Sequence, residues 1–157
     1  SSPSTRAQLT HVETQIATAL KEGAVLRHGG SRPSAADGGW YFEPTILECP
    51  DQKLTIVDTE LFGPVLSVLR FSDEEEVIAL ANDTKYGLAT GIFTRDVGRA
   101  HRVAKAIRAG IVWVNTWFLR DLRAPFGGVK LSGIGREGGQ HSLNFYAEPT
   151  NICINIE

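Results

Sequence analysis

Arg120 and Arg123 stand in the stretch NTWFLRDLRAPFGG, Asn115 to Gly128, between Trp117 and Phe118 on one side and Phe126 on the other. A guanidinium is a planar, permanently charged fork of N–H donors that grips a carboxylate through two parallel hydrogen bonds. Such a charge-assisted contact contributes about 1.5–3 kcal/mol. Two forks in an aromatic loop therefore point to an anionic ligand. Arg123 has a competing role, because Asp121 lies just before it. A surface arginine, or an ion pair with that aspartate, needs no ligand. Pro125-Phe126-Gly127-Gly128 then turns the backbone tightly.

The other candidates point away from nucleophilic, metal or phosphate-turn chemistry. Cys49 sits in the polar loop LECPD and Cys153 in an apolar alternation near the end, with no CxxC spacing. Neither has a neighbouring base or helix N-terminus to lower its pKa, so neither reads as a nucleophile. Reduced thiols of a cytoplasmic chain are expected. His11, His28, His101 and His141 form no ligand cluster, and His141 reads as a surface or interface residue. SGIGREGG, Ser132 to Gly139, is not a dinucleotide fingerprint. Such a turn must follow a strand, and the GVKLS before it is short and polar.

Alternating elements position these residues. Arg6 to Lys21 reads as an amphipathic helix with Leu9, Val12, Ile16 and Leu20 inward. EGAVLRHGG reads as a short strand and turn, SRPSAADGG as a polar loop, and WYFEPTIL as a strand that Pro44 moves toward an edge. PVLSVLRF is a run of the buried-strand kind. SDEEEVIALANDT reads as a helix with Ser72 as N-cap and Glu75 at the third position of a capping box. GLATGIFT and IVWVN are strands. Between them RDVGRAHRVAKAIRAG is a basic helix with Val97, Ala100, Val103, Ala104 and Ile107 inward and Gly110 at its end. The order predicts an α/β fold with a largely parallel sheet and flanking helices. Ligands gather at the carboxyl ends of such strands, which singles out NTWFLRDLRAPFGG and ELFGP, Glu60 to Pro64.

At 157 residues the chain fits one domain with a real core, and 42% apolar and 22% charged residues are ordinary for a soluble protein. A net charge of −2 gives no sign of a nucleic-acid partner, and no segment reads as a membrane span or signal peptide. The chain contains no Met and does not begin with one, so a processed or truncated piece is expected.

TELFGPVLSVLRF, EEEVIALANDTKYGLATGIFTRD, AGIVWVNTW, PFGGVKLSGIGREGG and FYAEPTNICINI together resemble the carboxyl-terminal part of the aldehyde dehydrogenase superfamily. The blocks fall in family order, so the resemblance covers nearly the whole chain. It implies NAD(P)-dependent oxidation of an aldehyde to an acid through a cysteine thiohemiacetal, hydride transfer and glutamate-assisted hydrolysis. The nucleophilic cysteine, the general-base glutamate and the dinucleotide-binding turn are implied to lie upstream, and the isolated chain is expected to be inactive.

By the same resemblance, Glu60 accepts hydrogen bonds from the nicotinamide ribose hydroxyls, Phe62 packs at the nicotinamide end, and Phe126 lines the site near the reacting centre. The cofactor is implied to be NAD, with NADP left open. Arg136 and Glu148 match a family pair near the oligomer interface. Residues 1–131 are implied to be part of the catalytic domain, and 132–157 a return segment and oligomerisation strand. That strand, NFYAEPTNICINIE, alternates apolar and polar residues and reads as half-buried, joining a partner subunit of a homo-oligomer.

The arginines are similar to those of the branch that oxidises 2-hydroxymuconic and 2-aminomuconic semialdehydes, where an arginine grips the substrate carboxylate. Arg120 matches the tunnel-lining position and is favoured over Arg123. An inactive folding or dimerisation module is the competing reading.

Overall fold

A computed structural model describes residues 3–34 and 38–157, arranged as two compact units, Ser1–Asp73 and Glu74–Glu157. Part of the polar loop SRPSAADGG, residues 35–37, lies outside the described residues.

In the first unit, helix α1 spans Arg6–Lys21, and the Thr5 side chain caps it by accepting from Gln8 N at 3.1 Å. Its buried face is Leu9, Val12, Ile16 and Ala19. Ala19 takes the place expected of Leu20, which is 41% exposed. Strand β1, Val25–His28, pairs antiparallel with β2, Thr45–Glu48, which runs parallel to β3, Val65–Val68. The expected strand WYFEPTIL is regular only after Pro44, which has no N–H for a ladder. A single helical turn α2, Thr55–Asp58, absent from the sequence reading, follows β2. Its first N–H and the Thr55 hydroxyl donate to the Glu22 carboxylate at 2.8 and 2.6 Å. Leu9, Val12 and Leu47 are fully buried at the centre of a core completed by Phe42, Leu54 and Ile56. Cys49 is buried beside them, and burial pushes its thiol pKa up. β3 is not a buried strand, because its residues alternate between half-buried and exposed.

In the second unit, α3 spans Glu74–Asn82, β4 Ala89–Ile92, α4 Val97–Ala106 and β5 Ile111–Val114. A 3-10 turn at Lys130–Ser132 and helix α5, Gly139–Tyr146, follow. α3 begins at Glu74, one residue beyond the start that a Ser72 cap would set. β4 and β5 are parallel, joined through α4, whose N-cap Asp96 accepts from Arg99 N at 2.9 Å. Asn82, at the end of α3, donates to Ala106 O at 2.8 Å and accepts from Arg108 N at 2.7 Å. Those bonds terminate α4 four residues before Gly110. Val97, expected inward, is 71% exposed, and only Val103 of the expected face is buried.

The described strands thus form two small sheets, of order β1-β2-β3 and β4-β5, rather than one largely parallel sheet. The antiparallel pair follows from its connection: helices lie between β2 and β3 and between β4 and β5, which allow parallel crossovers, whereas no described helix joins β1 to β2, so the chain reverses there. Residues 147–157 form no strand. They are exposed throughout, including Ile152, Ile154 and Ile156, rather than half-buried. A strand exists only where a neighbouring ladder takes up its N–H and C=O groups.

Candidate functional site

ELFGP follows α2 and leads into β3, so its geometry is set by the turn between them. Glu60, Leu61, Phe62 and Gly63 line a cleft of about 380 Å³ with Ile56 and Thr59. The Gln8 amide of α1 donates to Leu61 O at 2.6 Å and Phe62 O at 3.1 Å and so pins the turn. Phe62 adopts φ +50°, a left-handed conformation uncommon away from glycine, and its ring is 78% exposed. Glu60 is exposed and makes no hydrogen bond or ion pair among the described residues. An uncommitted carboxylate beside a projecting aromatic ring can accept two hydroxyls and face a flat ring.

The arginine loop hangs from β5. Asn115, at φ +54°, accepts from Thr94 N and donates to Thr94 O, both at 2.8 Å, tying the exits of β4 and β5 together. Trp113 is buried and its Nε1 donates to Leu119 O at 2.8 Å. Its ring packs against Trp117, with centroids 5.0 Å apart, and Phe118, 6.1 Å away. The aromatics flanking the arginines therefore anchor the loop's root.

Beyond that root the two arginines diverge. Arg123 is engaged by Asp121: Nη2 donates to Oδ2 at 2.7 Å, Nε to Oδ1 at 3.0 Å, and the backbone N–H to Oδ1 at 2.9 Å. This contact holds the Asp121 carboxyl below its usual range. Arg120 instead lies over the Phe126 ring, 4.1 Å from its centroid, and has no carboxylate partner among the described residues. None of its N–H donors makes a hydrogen bond among the described residues.

Phe126 is held from behind. It exchanges two 2.8 Å backbone hydrogen bonds with Glu137, an isolated antiparallel bridge. The glycines of the return segment serve this packing. A Cβ on Gly138 would meet Ala124 O at 2.8 Å, and one on Gly139 would collide with Arg123 O. Close backbone approach accounts for Gly138 and Gly139, and left-handed φ values of +134° and +77° account for Gly133 and Gly135. Among the described residues no cluster could hold a metal, and no helix is long and apolar enough to cross a membrane.

The family model of the aldehyde dehydrogenase family matches residues 3–152. The chain belongs to the aldehyde dehydrogenase family. It is 55% identical over 142 residues to a 2-aminomuconic 6-semialdehyde dehydrogenase of Pseudomonas sp, covering 88% of this chain and 29% of that protein. It is 52% identical over 141 residues to a 2-hydroxymuconic semialdehyde dehydrogenase of Pseudomonas putida, with the same coverage. Among solved structures, the NAD+ complex of an aldehyde dehydrogenase from Bacillus cereus aligns with TM-score 0.88 at 41% identity, over 99% of this chain and 31% of that one. The chain thus spans about three-tenths of the length of the relatives it matches.

In this aldehyde dehydrogenase chain, Glu60 and Phe62 share one cleft in the first unit, and Arg120 and Phe126 share one stack in the second. Arg136 and Glu148 are not brought together: Arg136 Nη1 donates to Gly128 O at 2.8 Å and Gly135 O at 2.7 Å, and Glu148 is exposed with no ion pair among the described residues. Sequence reasoning missed Gln8 and Trp113. Gln8 gives no local signal, because its carbonyl partners lie in a distant turn. For Trp113, an indole within a strand followed by a loop was the available cue.

Proposed function

We propose that this chain is the carboxyl-terminal part of an NAD(P)-dependent aldehyde dehydrogenase that oxidises a carboxylate-bearing semialdehyde, of the 2-hydroxymuconic type, to the acid. The observation that carries the reading is the contrast between the arginines. Arg123 is consumed by Asp121, whereas Arg120 offers an open fork from an aromatic stack. The muconic semialdehyde dehydrogenases among the relatives support that substrate class.

Arg120 binds the far carboxylate and so orients the aldehyde carbon, with Phe126 beneath it; Arg123 steadies the loop through Asp121. Fixing a reactant in this way can contribute several kcal/mol to lowering a barrier. The free carboxylate of Glu60 and the exposed ring of Phe62 fit a nicotinamide ribose, and NAD+ in the solved relative supports NAD over NADP. When bound, the cofactor supplies the hydride acceptor. The nucleophilic cysteine and general-base glutamate belong to sequence outside these residues: Cys49 is buried, and Cys153 is exposed beside no base. Residues 1–131 act as part of the catalytic domain. Residues 132–157 return the chain and add an edge strand to a second copy in the cytoplasm. The exposed Ile152, Ile154 and Ile156 and the lack of any strand ladder along 147–157 among the described residues support this assembly role, with Arg136 and Glu148 near that interface.

The test is aldehyde-dependent NADH formation by the full-length protein carrying this segment, against the isolated chain. The full-length protein turns over and the isolated chain does not; turnover by the isolated chain would show that the missing-nucleophile reading is wrong. Glu60→Gln in the full-length enzyme raises KM for NAD+ by about tenfold, the loss of one charge-assisted contact. An unaltered KM and hydride-transfer rate would remove Glu60 from the cofactor site.

A further inference from the structure

We propose that Phe126 is the positioning residue that presents Arg120 to the substrate carboxylate, and that this stack sets the preference for a charged over an uncharged aldehyde. The proposal rests on the substrate reading above. Arg120 is an exposed, long side chain, and ordering such a side chain costs rotamer freedom. The guanidinium carbon lies 4.1 Å from the Phe126 ring centroid, and no N–H donor of Arg120 makes a hydrogen bond among the described residues, so the contact leaves them available to a ligand. Part of the ordering cost is then met before substrate arrives, which strengthens binding without any new contact.

A platform is useful only if it is stiffer than what it supports, and Phe126 meets that condition. Its N–H and C=O both bond to Glu137. Arg136 donates to the carbonyls of Gly128 and Gly135, clamping together the two segments that flank the bridge. Gly110 backs Gly127 so closely that a Cβ would collide with the Gly127 carbonyl. The loop carrying Arg120 is held instead at its root by Trp113 and beyond it by the Asp121–Arg123 pair. Within the loop itself, Phe126 is what restrains the Arg120 head group.

The experiment measures kcat/KM for a carboxylated semialdehyde and for an uncharged aldehyde of similar length, using the full-length enzyme. The variants are Phe126→Leu, Phe126→Tyr, Arg120→Ala and the Arg120→Ala/Phe126→Leu double. Leucine keeps apolar bulk but has no ring face. Phe126→Leu should lower the charged-to-uncharged ratio about two- to fivefold, mainly through KM, and Phe126→Tyr should restore it to within about twofold. In the Arg120→Ala background, Phe126→Leu should leave the ratio where it is. The proposal is overturned if Phe126→Leu shifts the ratio equally with and without Arg120, or if Arg120→Ala shifts it and Phe126→Leu does not. If Arg120→Ala itself leaves the ratio unchanged, the substrate reading fails and the positioning role falls with it, a result distinct from failure of the stack alone.

Discussion

Removing the Arg120 guanidinium is the most direct test of the proposed substrate recognition. Arg120 is exposed, lies over the Phe126 ring and has no competing carboxylate among the described residues, so substitution costs the loop no ion pair. A bidentate charge-assisted contact contributes about 1.5–3 kcal/mol, which at room temperature is a factor of about 10 to 150. Arg120→Ala in the full-length enzyme should therefore lower kcat/KM for a carboxylated semialdehyde by that factor. It should lower kcat/KM for an uncharged aldehyde far less. Arg120→Lys keeps the charge but loses the fork, and should fall between. Arg123→Ala is the internal control. Its Nε and Nη2 engage Asp121 in an exposed pair, a class that contributes about 0–1 kcal/mol, so it should move the selectivity ratio by less than about fivefold. Initial rates of NADH formation with the two substrates give the ratio directly. Equal losses on both substrates after Arg120→Ala, or a selective loss after Arg123→Ala instead, would refute the reasoning.

Two further outcomes concern the frame around the site. Gly110→Ala should destabilise the protein by about 2 kcal/mol or more, because the new methyl meets the backbone carbonyl of Gly127, which cannot rotate away as a side chain could; an unchanged unfolding midpoint would contradict this packing. Glu48 accepts from Arg70 Nε at 2.6 Å and Arg27 Nε at 2.7 Å, and these contacts, Arg70 first, hold its carboxyl below the usual range. A depressed folded-state pKa means its stabilisation is present above the ordinary carboxylate range and lost as pH falls through the folded value. Denaturation midpoints between about pH 6 and about pH 3 should therefore drop less steeply in Glu48→Gln than in the parent, and identical slopes would rule the contribution out.

Much of the local architecture was legible. The helix Arg6–Lys21 follows from apolar residues spaced by three and four, and IVWV reads as a strand from β-branched and aromatic content. What escaped was set by distant partners. The turn Thr55–Asp58 depends on Glu22 at its N-terminus, a residue no local window contains. The helix before β5 stops at Ala106 because Asn82 reaches across from another helix, four residues short of the end that Gly110 suggests. The terminal alternation was correctly seen, but alternation predicts a face and not a ladder partner, and among the described residues it has none.

The candidate site divides in the same way. Glu60 and Phe62 were named through a motif resemblance, since an acid and an aromatic before a turn carry no chemistry by spacing alone. The sequence by itself determined that two guanidinium forks stand in an aromatic loop, that Asp121 is close enough to claim one, and that the blocks around them are those of an aldehyde dehydrogenase. Only the tertiary structure decided which fork is claimed. Arg123 closes onto Asp121 within a local turn, whereas Arg120 finds Phe126 because Glu137 and Arg136 hold that ring's backbone in place from the return segment. Residue type sets which contacts are available, and long-range backbone pairing sets which of them is made.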